Sequence, residues 1–147
     1  MPIRDARPDD LDQICALIVE LAAYEQAPEE VAFDRDEVGR HLFGDDPAAR
    51  VLMAETDDGQ VAGMALWFRT FSTWVGRPGI WLEDLFVRPE HRGHGYGRAL
   101  LQAVRDRTDG RVEWTVLDWN RSAIEFYDAL GAAPVDGWTR YRWDPRV

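Results

Sequence analysis

The sequence predicts an α/β fold, in which one domain spans residues 1–147 and holds a mixed, mostly antiparallel sheet flanked by helices. Three observations lead to this prediction. The length of 147 residues is that of one domain. Apolar residues recur at every third or fourth position in some segments and at every second position in others. The segments follow the order β-α-α-β-β-β-α-β-α-β, and a helix between the fourth and fifth strands makes those two parallel neighbours.

The first half of the chain predicts two helices and three strands. Residues 3–4 end a short strand, and Pro8 suits the first turn of a helix that runs to about Tyr24, because apolar residues recur through LDQICALIVELAAY. In AFDRDEVGRHLF, Asp34 is the expected N-cap of a shorter helix, with Glu37 three residues later. VLMAET and VAGMALWFRTF flank the turn DDGQ and predict a hairpin, after which STWVGRPG is a loop.

The second half predicts three strands separated by two helices. IWLEDLFVR is the fourth strand, which Pro89 ends, GRALLQAVRDR is a helix, and RVEWTVLDW, residues 111–119, is the fifth strand. NRSAIEFYDALG predicts the last helix, with Asn120 as its N-cap and Gly131 just after its end. GWTRYRW, residues 137–143, is the final strand.

Composition argues against several classes of function. The net charge of −10 is unlike the basic surface of a nucleic-acid-binding protein. All 17 basic residues are arginines, which excludes a Walker A lysine and a Schiff-base lysine. The three histidines and the single cysteine, Cys15, have no metal-site spacing. No apolar run reaches the length of a membrane span and no signal peptide is recognisable, so we expect a cytoplasmic protein that binds neither metal nor membrane.

A glycine-rich turn lies between the fourth strand and the helix that follows it. HRGHGYGRAL, residues 91–100, contains Gly93, Gly95 and Gly97, and glycine costs roughly 0.5–1 kcal/mol relative to alanine in regular structure. Backbone amides converge at such a turn, where a helix begins, and favour an anion. The pattern is not G-x-G-x-x-G, because position 98 is arginine. We therefore expect a ligand that carries phosphate, and the pattern does not indicate the dinucleotide site of a Rossmann fold.

Arg92-x-x-Gly95-x-Gly97, which follows LEDLFV, resembles the turn that surrounds the pyrophosphate of acetyl-CoA in the GNAT superfamily of N-acetyltransferases. LEDLFVRPEHRGHGYG, VLDWNRSAIEFYDALGA and RPDDLDQICALIVELAAYE are similar to the diamine acetyltransferase branch. STWVGR and VLDWN resemble the thialysine Nε-acetyltransferases more than the spermidine/spermine enzymes. The resemblance covers nearly the whole chain. It implies acetyl-CoA as co-substrate, a small cationic amine as substrate, and a homodimer.

The resemblance also implies which residues contact the two substrates. Strand backbone, the glycine turn and the start of the last helix would bind the coenzyme through Leu85, Phe86, Val87, Arg92, Gly93, His94, Gly95, Tyr96, Gly97, Arg98, Asn120, Arg121, Ser122, Ala123 and Tyr127. The amine would be contacted by Tyr24, Glu25, Ser72, Trp74, Glu83, Asp84, Glu113, Trp114 and Thr115. For Asp84, packing at a dimer interface is the alternative.

Two of these residues are the candidate catalytic groups. A lysine-type amine has a pKa of about 10.4, so it arrives charged and needs a base. Glu83 interrupts an apolar strand, where burial would raise its pKa, and the resemblance makes it the base, directly or through a water. A strand carboxylate paired with an arginine is the alternative. The resemblance makes Tyr127 the acid that protonates the coenzyme sulfur, and a half-buried helix tyrosine is the alternative.

Alternation along the fourth strand predicts which side chains share a face. It groups Trp81, Glu83 and Leu85 on one side and Leu82, Asp84 and Phe86 on the other. The superfamily usually has a bulge at this point, which would change the grouping.

Ser72 is the point where the chain departs from its polyamine-acetylating relatives, which carry an acidic residue two positions before the tryptophan. The site thus has one anionic anchor fewer for a second ammonium group. The departure favours thialysine or a lysine-like substrate. The alternatives are a polyamine N-acetyltransferase and a non-catalytic acyl-CoA-binding sensor.

Overall fold

The computed structural model describes residues 2–146. The strands are β1 (Ile3–Asp5), β2 (Arg50–Glu55), β3 (Val61–Ser72), β4 (Arg77–Val87) and β5 (Val112–Glu113). The helices are α1 (Leu11–Tyr24), α2 (Arg35–Phe43), α3 (Tyr96–Arg105) and α4 (Arg121–Ala129). The chain forms two compact units: residues 2–115 hold the sheet and the first three helices, and residues 116–146 hold α4.

The five strands form one sheet in the order β1-β2-β3-β4-β5. The first four are antiparallel to their neighbours, whereas β5 runs parallel to β4 and pairs with it at Ile80–Val112 and Trp81–Glu113. The parallel pair is the one that the helical crossover predicts. The predicted fold class, a mixed and mostly antiparallel sheet flanked by helices, is confirmed.

Helix α1 covers one face of the sheet. Ile14, Leu17 and Leu21 recur at intervals of three and four, which places them on one side of the helix. They are buried in a cluster with Met53 of β2 and Met64 of β3. Burying a side chain of this kind stabilises the fold by roughly 1.5–3 kcal/mol. The apolar residues whose spacing predicts α1 therefore form the surface that packs the helix against the sheet.

Helix α3 covers the opposite face. Leu100 and Val104 are fully buried, and alternation directs Leu52 of β2 and Ala65 of β3 away from the α1 cluster and toward this side. The sheet is thus enclosed between α1 and α3, and the glycine turn, which leads into α3, lies at the end of β4.

The predicted caps are confirmed. The side chain of Asp34 accepts a hydrogen bond from the amide of Asp36 at the start of α2. Asn120 does the same for the amide of Ala123 at the start of α4. Gly131, just after α4, has a φ of 88°, a conformation that favours glycine.

Three boundaries differ from the predictions. Ser72 pairs with Arg77, so that residues 73–76 alone form the turn and the expected loop is part of a long hairpin. The fifth strand ends at Glu113 rather than at 119. β4 pairs with only two of its residues, and a segment counts as a strand only where its backbone pairs with a neighbouring strand. Residues 137–143 form no strand in the described structure, so the prediction of a last strand was wrong for the isolated chain.

An ion-pair network joins the start of the chain to the sheet. Arg4 of β1 donates to both carboxylate oxygens of Asp10 at 2.7 and 2.9 Å and to Glu55 of β2 at 2.7 Å. Asp10 also accepts from the amide of Arg7 at 2.7 Å. The hydrogen bond from Arg4 is the first cause of a lowered pKa at Asp10, which is buried just before α1.

Asp10→Asn should lower the free energy of unfolding at pH 7 by about 2 kcal/mol, because the charge-assisted hydrogen bonds from Arg4 are lost. The folded-state pKa of Asp10 lies below the unfolded value, so its contribution is present above the unfolded pKa and disappears as the pH falls through the folded one. Urea unfolding at neutral and acidic pH measures the difference. Asp9→Asn, an exposed neighbour, is the control; equal losses for both variants would contradict the role of the network.

Candidate active site

A β-bulge at Glu83 shapes the middle of β4. Leu66 of β3 pairs with Asp84 and Trp67 pairs with Leu82, so Glu83 has no residue opposite it. The extra residue reverses the alternation. Asp84 now faces the α1 side together with Phe86, and Leu82 faces the other way. The grouping of Leu82 with Asp84 that simple alternation predicts is therefore wrong.

The outer edge of β4 separates from β5 beyond the bulge. β5 pairs only at Ile80 and Trp81, so no residue of β5 accompanies β4 along residues 83–87. The amide of Arg88 donates to Ala62 of β3 at 2.8 Å. Because backbone groups alternate in direction along a strand, those of Leu85 and Val87 point away from β3, to the open edge. An extended ligand with amide groups could add to this edge as a strand does.

The glycine turn leads directly from this edge to α3. Gly93 and Gly95 have φ values of 81° and 86°, so the backbone itself requires glycine at both positions. Gly97 lies inside the first turn of α3, next to Tyr96 and Arg98. Gly95 is the N-cap of α3 and no side-chain hydrogen bond caps the helix, whose first amides are therefore available to an anion.

Arg92 is held beside the strand end by two aromatic rings. Its guanidinium carbon lies 4.9 Å from the ring centre of Tyr24 and 5.4 Å from that of Phe86. Its Nε donates to the carbonyl of Val87 at 2.8 Å. The structure thus brings Tyr24, at the end of α1, together with the end of β4. His94 is exposed in the turn.

Three carboxylates influence one another near the bulge. Burial is the first cause that raises the pKa of Asp84, and the negative charges of Glu83 and Glu25 also raise it; together they bring it to about 7. Burial also raises the pKa of Glu25. Glu83 is exposed. The strand carboxylate with the raised pKa is therefore Asp84, which is half-buried. Glu83, which the sequence predicted to be buried, is exposed because the bulge takes it out of the regular alternation.

The other residues predicted to contact the amine lie on the β3–β4 hairpin and at the end of β5. Ser72 accepts a hydrogen bond from the amide of Val75 at 3.1 Å and so holds the hairpin turn. Trp74, in that turn, is 81% exposed. Glu113 ends β5, and Trp114 and Thr115 follow it.

Helix α4 carries the remaining predicted residues. Asn120 is buried, and its side-chain oxygen accepts from the amide of Ala123 and from the hydroxyl of Ser122, both at 3.3 Å. Arg121 opens the helix on its exposed side. Tyr127 is half-buried, with its ring 5.4 Å from that of Phe126.

Arg88 is a positioning residue that the sequence analysis left without a role. Its guanidinium donates to both oxygens of Glu20 on α1, at 3.1 and 3.0 Å, and to the carbonyl of Val61 at 3.1 Å. These bonds fix the end of β4 just before the glycine turn. The available signal was Glu20, which interrupts the apolar run ICALIVELAA in the middle of α1. Its partner, 68 residues away, could not be inferred from local pattern.

Residues 2–146 contain neither a group of metal-ligand side chains nor a helix that could span a membrane. Among residues 2–146, no three histidine, cysteine or acidic side chains are grouped as metal ligands would be. Within the same residues, every helix is too short or too polar to cross a bilayer.

The chain is similar to known acetyltransferases. The family model described as "Acetyltransferase (GNAT) family" matches residues 14–132. Thialysine N-epsilon-acetyltransferase of Bos taurus is 35% identical over 97% of this chain and 91% of its own length. Spermidine/spermine N(1)-acetyltransferase-like protein 1 of Homo sapiens is 29% identical over 97% of this chain, which is 22% of the relative. A solved structure described as a probable acetyltransferase has a TM-score of 0.80 over 99% of both chains at 19% identity, and so shares the fold.

Asp84 should titrate with a pKa of about 7 in the carboxyl-carbon NMR spectrum. Glu83→Gln and Glu25→Gln should each lower this pKa only in part, because burial is the first cause of the shift. Glu90→Gln, at an exposed position, is the control. The raised pKa also predicts that stability falls as the pH rises from the unfolded value to about 7, and that Asp84→Asn abolishes this fall. A wild-type pKa near that of a free aspartate would contradict the assignment.

Proposed function

Because the chain belongs to the GNAT family of acetyltransferases, we propose that it transfers the acetyl group of acetyl-CoA to the distal primary amine of thialysine or a lysine-like compound. The observation that carries the proposal is the open edge of β4, which continues into an uncapped helix start through a glycine turn. An elongated molecule with amides along its length and phosphates at one end matches both features.

The coenzyme is proposed to bind along this path. Backbone groups of Leu85 and Val87 pair with the amides of the pantetheine arm as a neighbouring strand would. The amides of residues 93–98 donate hydrogen bonds to the pyrophosphate, which the positive N-terminal end of α3 also attracts. The arginine side chains at 92 and 98 add positive charge on either side of the turn.

The amine is proposed to bind at the group formed by Glu25, Glu83 and Asp84. Burial and mutual repulsion make it costly for all three to be ionised, and an incoming ammonium ion relieves that repulsion. Glu83, exposed on the bulge, takes the proton from the amine directly or through a water. Asp84, half-buried next to it in the strand, limits the repulsion within the group by holding a proton, which it releases to solvent when the cation binds. Tyr24, Trp74 and the end of β5 would lie around the carbon chain of the amine.

Tyr127 is proposed as the acid for the departing thiolate. A thiol of the cysteine type has a pKa of about 8.5 and a phenol one of about 10; the two values are close enough that a phenol beside the sulfur can donate its proton as negative charge develops there. Asn120 orients the start of the same helix through its cap.

Substrate choice is proposed to depend on the β3–β4 hairpin. The hydroxyl of Ser72 is neutral, so it supplies no negative charge for a second ammonium group. It also already accepts a hydrogen bond from the amide of Val75. The similarity to thialysine N-epsilon-acetyltransferase over nearly the whole chain supports the same choice. A polyamine is the second candidate substrate, supported by the spermidine/spermine-type relative. A sensor that binds acyl-CoA without turnover is the alternative of another class.

The test combines a substrate panel with one conservative variant. Release of free CoA should occur with thialysine or lysine at higher kcat/KM than with spermidine or putrescine. Tyr127→Phe should lower kcat on the order of 10²–10⁴-fold and change acetyl-CoA affinity little, because the ring remains and only the acidic hydroxyl is lost. Tyr141→Phe, which removes the hydroxyl of an exposed tyrosine, is the control.

Three outcomes would count against the proposal in different ways. Bound acetyl-CoA without turnover of any amine would support the sensor. Preference for spermidine would support the polyamine enzyme. A kcat for Tyr127→Phe within about threefold of wild type would show that another group protonates the thiolate.

A further inference from the structure

A hollow lies beside β3 at the point where β2 begins. Arg50, the first residue of β2, pairs with Trp67, so residues 68–72 of β3 have no residue of β2 beside them. Residues 47–49 approach β2 here without joining the sheet. Together with Arg50 and residues 67–69 they line a cavity of about 270 Å³, which we call the β2–β3 hollow. At about 30 Å³ for each water molecule, that volume accommodates a small molecule.

Three side chains of the β2–β3 hollow belong to the same face of the sheet. Arg50 and Trp67 are opposite each other in the ladder, and Arg69 follows Trp67 by two positions. Leu66 belongs to the cluster under α1, so alternation directs its neighbour Trp67 and the two arginines to the α3 side. Opposite and diagonal neighbours in a ladder are within reach of long side chains. The register thus brings two guanidinium groups to one indole ring.

Trp67 carries a buried hydrogen-bond donor without an acceptor. The residue is 3% exposed, and its indole Nε1 is the one buried side-chain nitrogen or oxygen within residues 2–146 that has no partner. A buried donor without an acceptor costs free energy, so its retention points to a partner outside the chain, such as a ligand or a water. Because Nε1 is itself covered, an acceptor in the hollow reaches it by a small rotation of the ring or a shift of residues 47–49.

Neither arginine of the hollow has an acidic partner. Across residues 2–146, no ion pair or side-chain hydrogen bond involves Arg50 or Arg69, although Asp45 and Asp46 are only a few positions before the segment that lines the hollow. Both arginines are exposed. Like charges that are close across a ladder repel each other, and an anion between them would remove that repulsion.

The open edge of β3 adds a backbone donor. The amide of Ile80 donates to Arg111, away from β3, so the backbone groups of Ile80 and of its partner Arg69 point away from each other. The amide of Arg69 is therefore directed to the edge that β2 leaves unpaired. The hollow thus combines two cations, an indole N–H and a backbone amide.

We propose that the β2–β3 hollow binds a small dianion through the guanidinium groups of Arg50 and Arg69, the indole N–H of Trp67 and the amide of Arg69. A phosphate group carries a charge of about −1.5 to −2 at pH 7, and a dicarboxylate carries about −2, so either one neutralises both arginines. Guanidinium groups bind the oxygens of both kinds of anion in pairs.

The dianion site is separate from the sites proposed for the two substrates. Trp67 belongs to the α3 side of the sheet, whereas Asp84 belongs to the α1 side. Arg69 pairs with Ile80, so the end of β4 at Val87, which leads to the glycine turn, is roughly 20 Å away along the strand. Binding is measured without acetyl-CoA or amine, so its outcome is independent of the proposed function.

The first test follows the indole N–H of Trp67 in nitrogen–proton NMR spectra of the whole chain, while inorganic phosphate or succinate is added at constant ionic strength. The resonance that is absent from Trp67→Phe identifies this group. At least one dianion should shift it along a saturable curve, and the one with the lower Kd shows whether the site prefers phosphate or a dicarboxylate. Acetate, which has one charge, should bind about tenfold more weakly. No saturable shift with either dianion, or an equal response to acetate, would overturn the proposal.

The second test removes one cation at a time. Arg50→Gln and Arg69→Gln should each raise the Kd of the dianion about tenfold, because a charge-assisted hydrogen bond is lost and solvent weakens it at these exposed positions. Arg40→Gln, the control, makes the same change of charge on α2, which packs on the α1 side, and should change the Kd less than about twofold.

Urea unfolding checks that all three arginine variants keep the stability of the wild type, as expected for exposed side chains. An equal rise of the Kd in Arg40→Gln would overturn the proposal, because net charge rather than the hollow would then attract the anion. Unchanged affinity in both Arg50→Gln and Arg69→Gln would overturn it as well, since the arginines would then take no part in binding.

Discussion

Strand β4 is bonded along most of its length on one side and along only two residues on the other. β3 fixes it through ten paired positions, from Gly63–Val87 to Ser72–Arg77, while β5 pairs only at Ile80 and Trp81. Everything proposed for the site depends on this asymmetry. The paired side makes the strand rigid, and Arg88 ties its end to α1 and β3. The other side leaves the backbone groups of Leu85 and the amide of Val87 available to a ligand, next to the turn where α3 begins, while the carbonyl of Val87 accepts from Arg92.

The bulge at Glu83 distributes two adjacent carboxylates into different surroundings. Glu83 is exposed, while Asp84 is half-buried on the α1 side, where its pKa is raised to about 7. One extra residue in the strand produces this separation. By turning Asp84 toward α1, it also brings Asp84 within electrostatic range of Glu25, just after the end of that helix.

Local pattern predicted the parts of the fold that depend on neighbours in sequence. The extent of α1 follows from its apolar spacing, and Asp34 and Asn120 cap helices as expected because capping involves residues two or three positions away. The bulge could not be read from alternation, since one inserted residue leaves the apolar pattern of IWLEDLFV intact. The lower exposure of Asp84 compared with Glu83 follows from the bulge. The strand predicted at residues 137–143 requires a neighbouring strand, which local sequence does not specify.

Residue-resolved amide exchange with and without acetyl-CoA tests the open edge of β4 most directly. Alternation directs the amides of Leu85 and Val87 to the open edge and that of Phe86 to β3. Binding of the coenzyme should therefore slow exchange at Leu85 and Val87 and leave Phe86, already bonded within the sheet, unchanged. Slowing at Phe86 alone, or no change at Leu85 and Val87 in the presence of saturating acetyl-CoA, would contradict the assignment of this edge as the binding site.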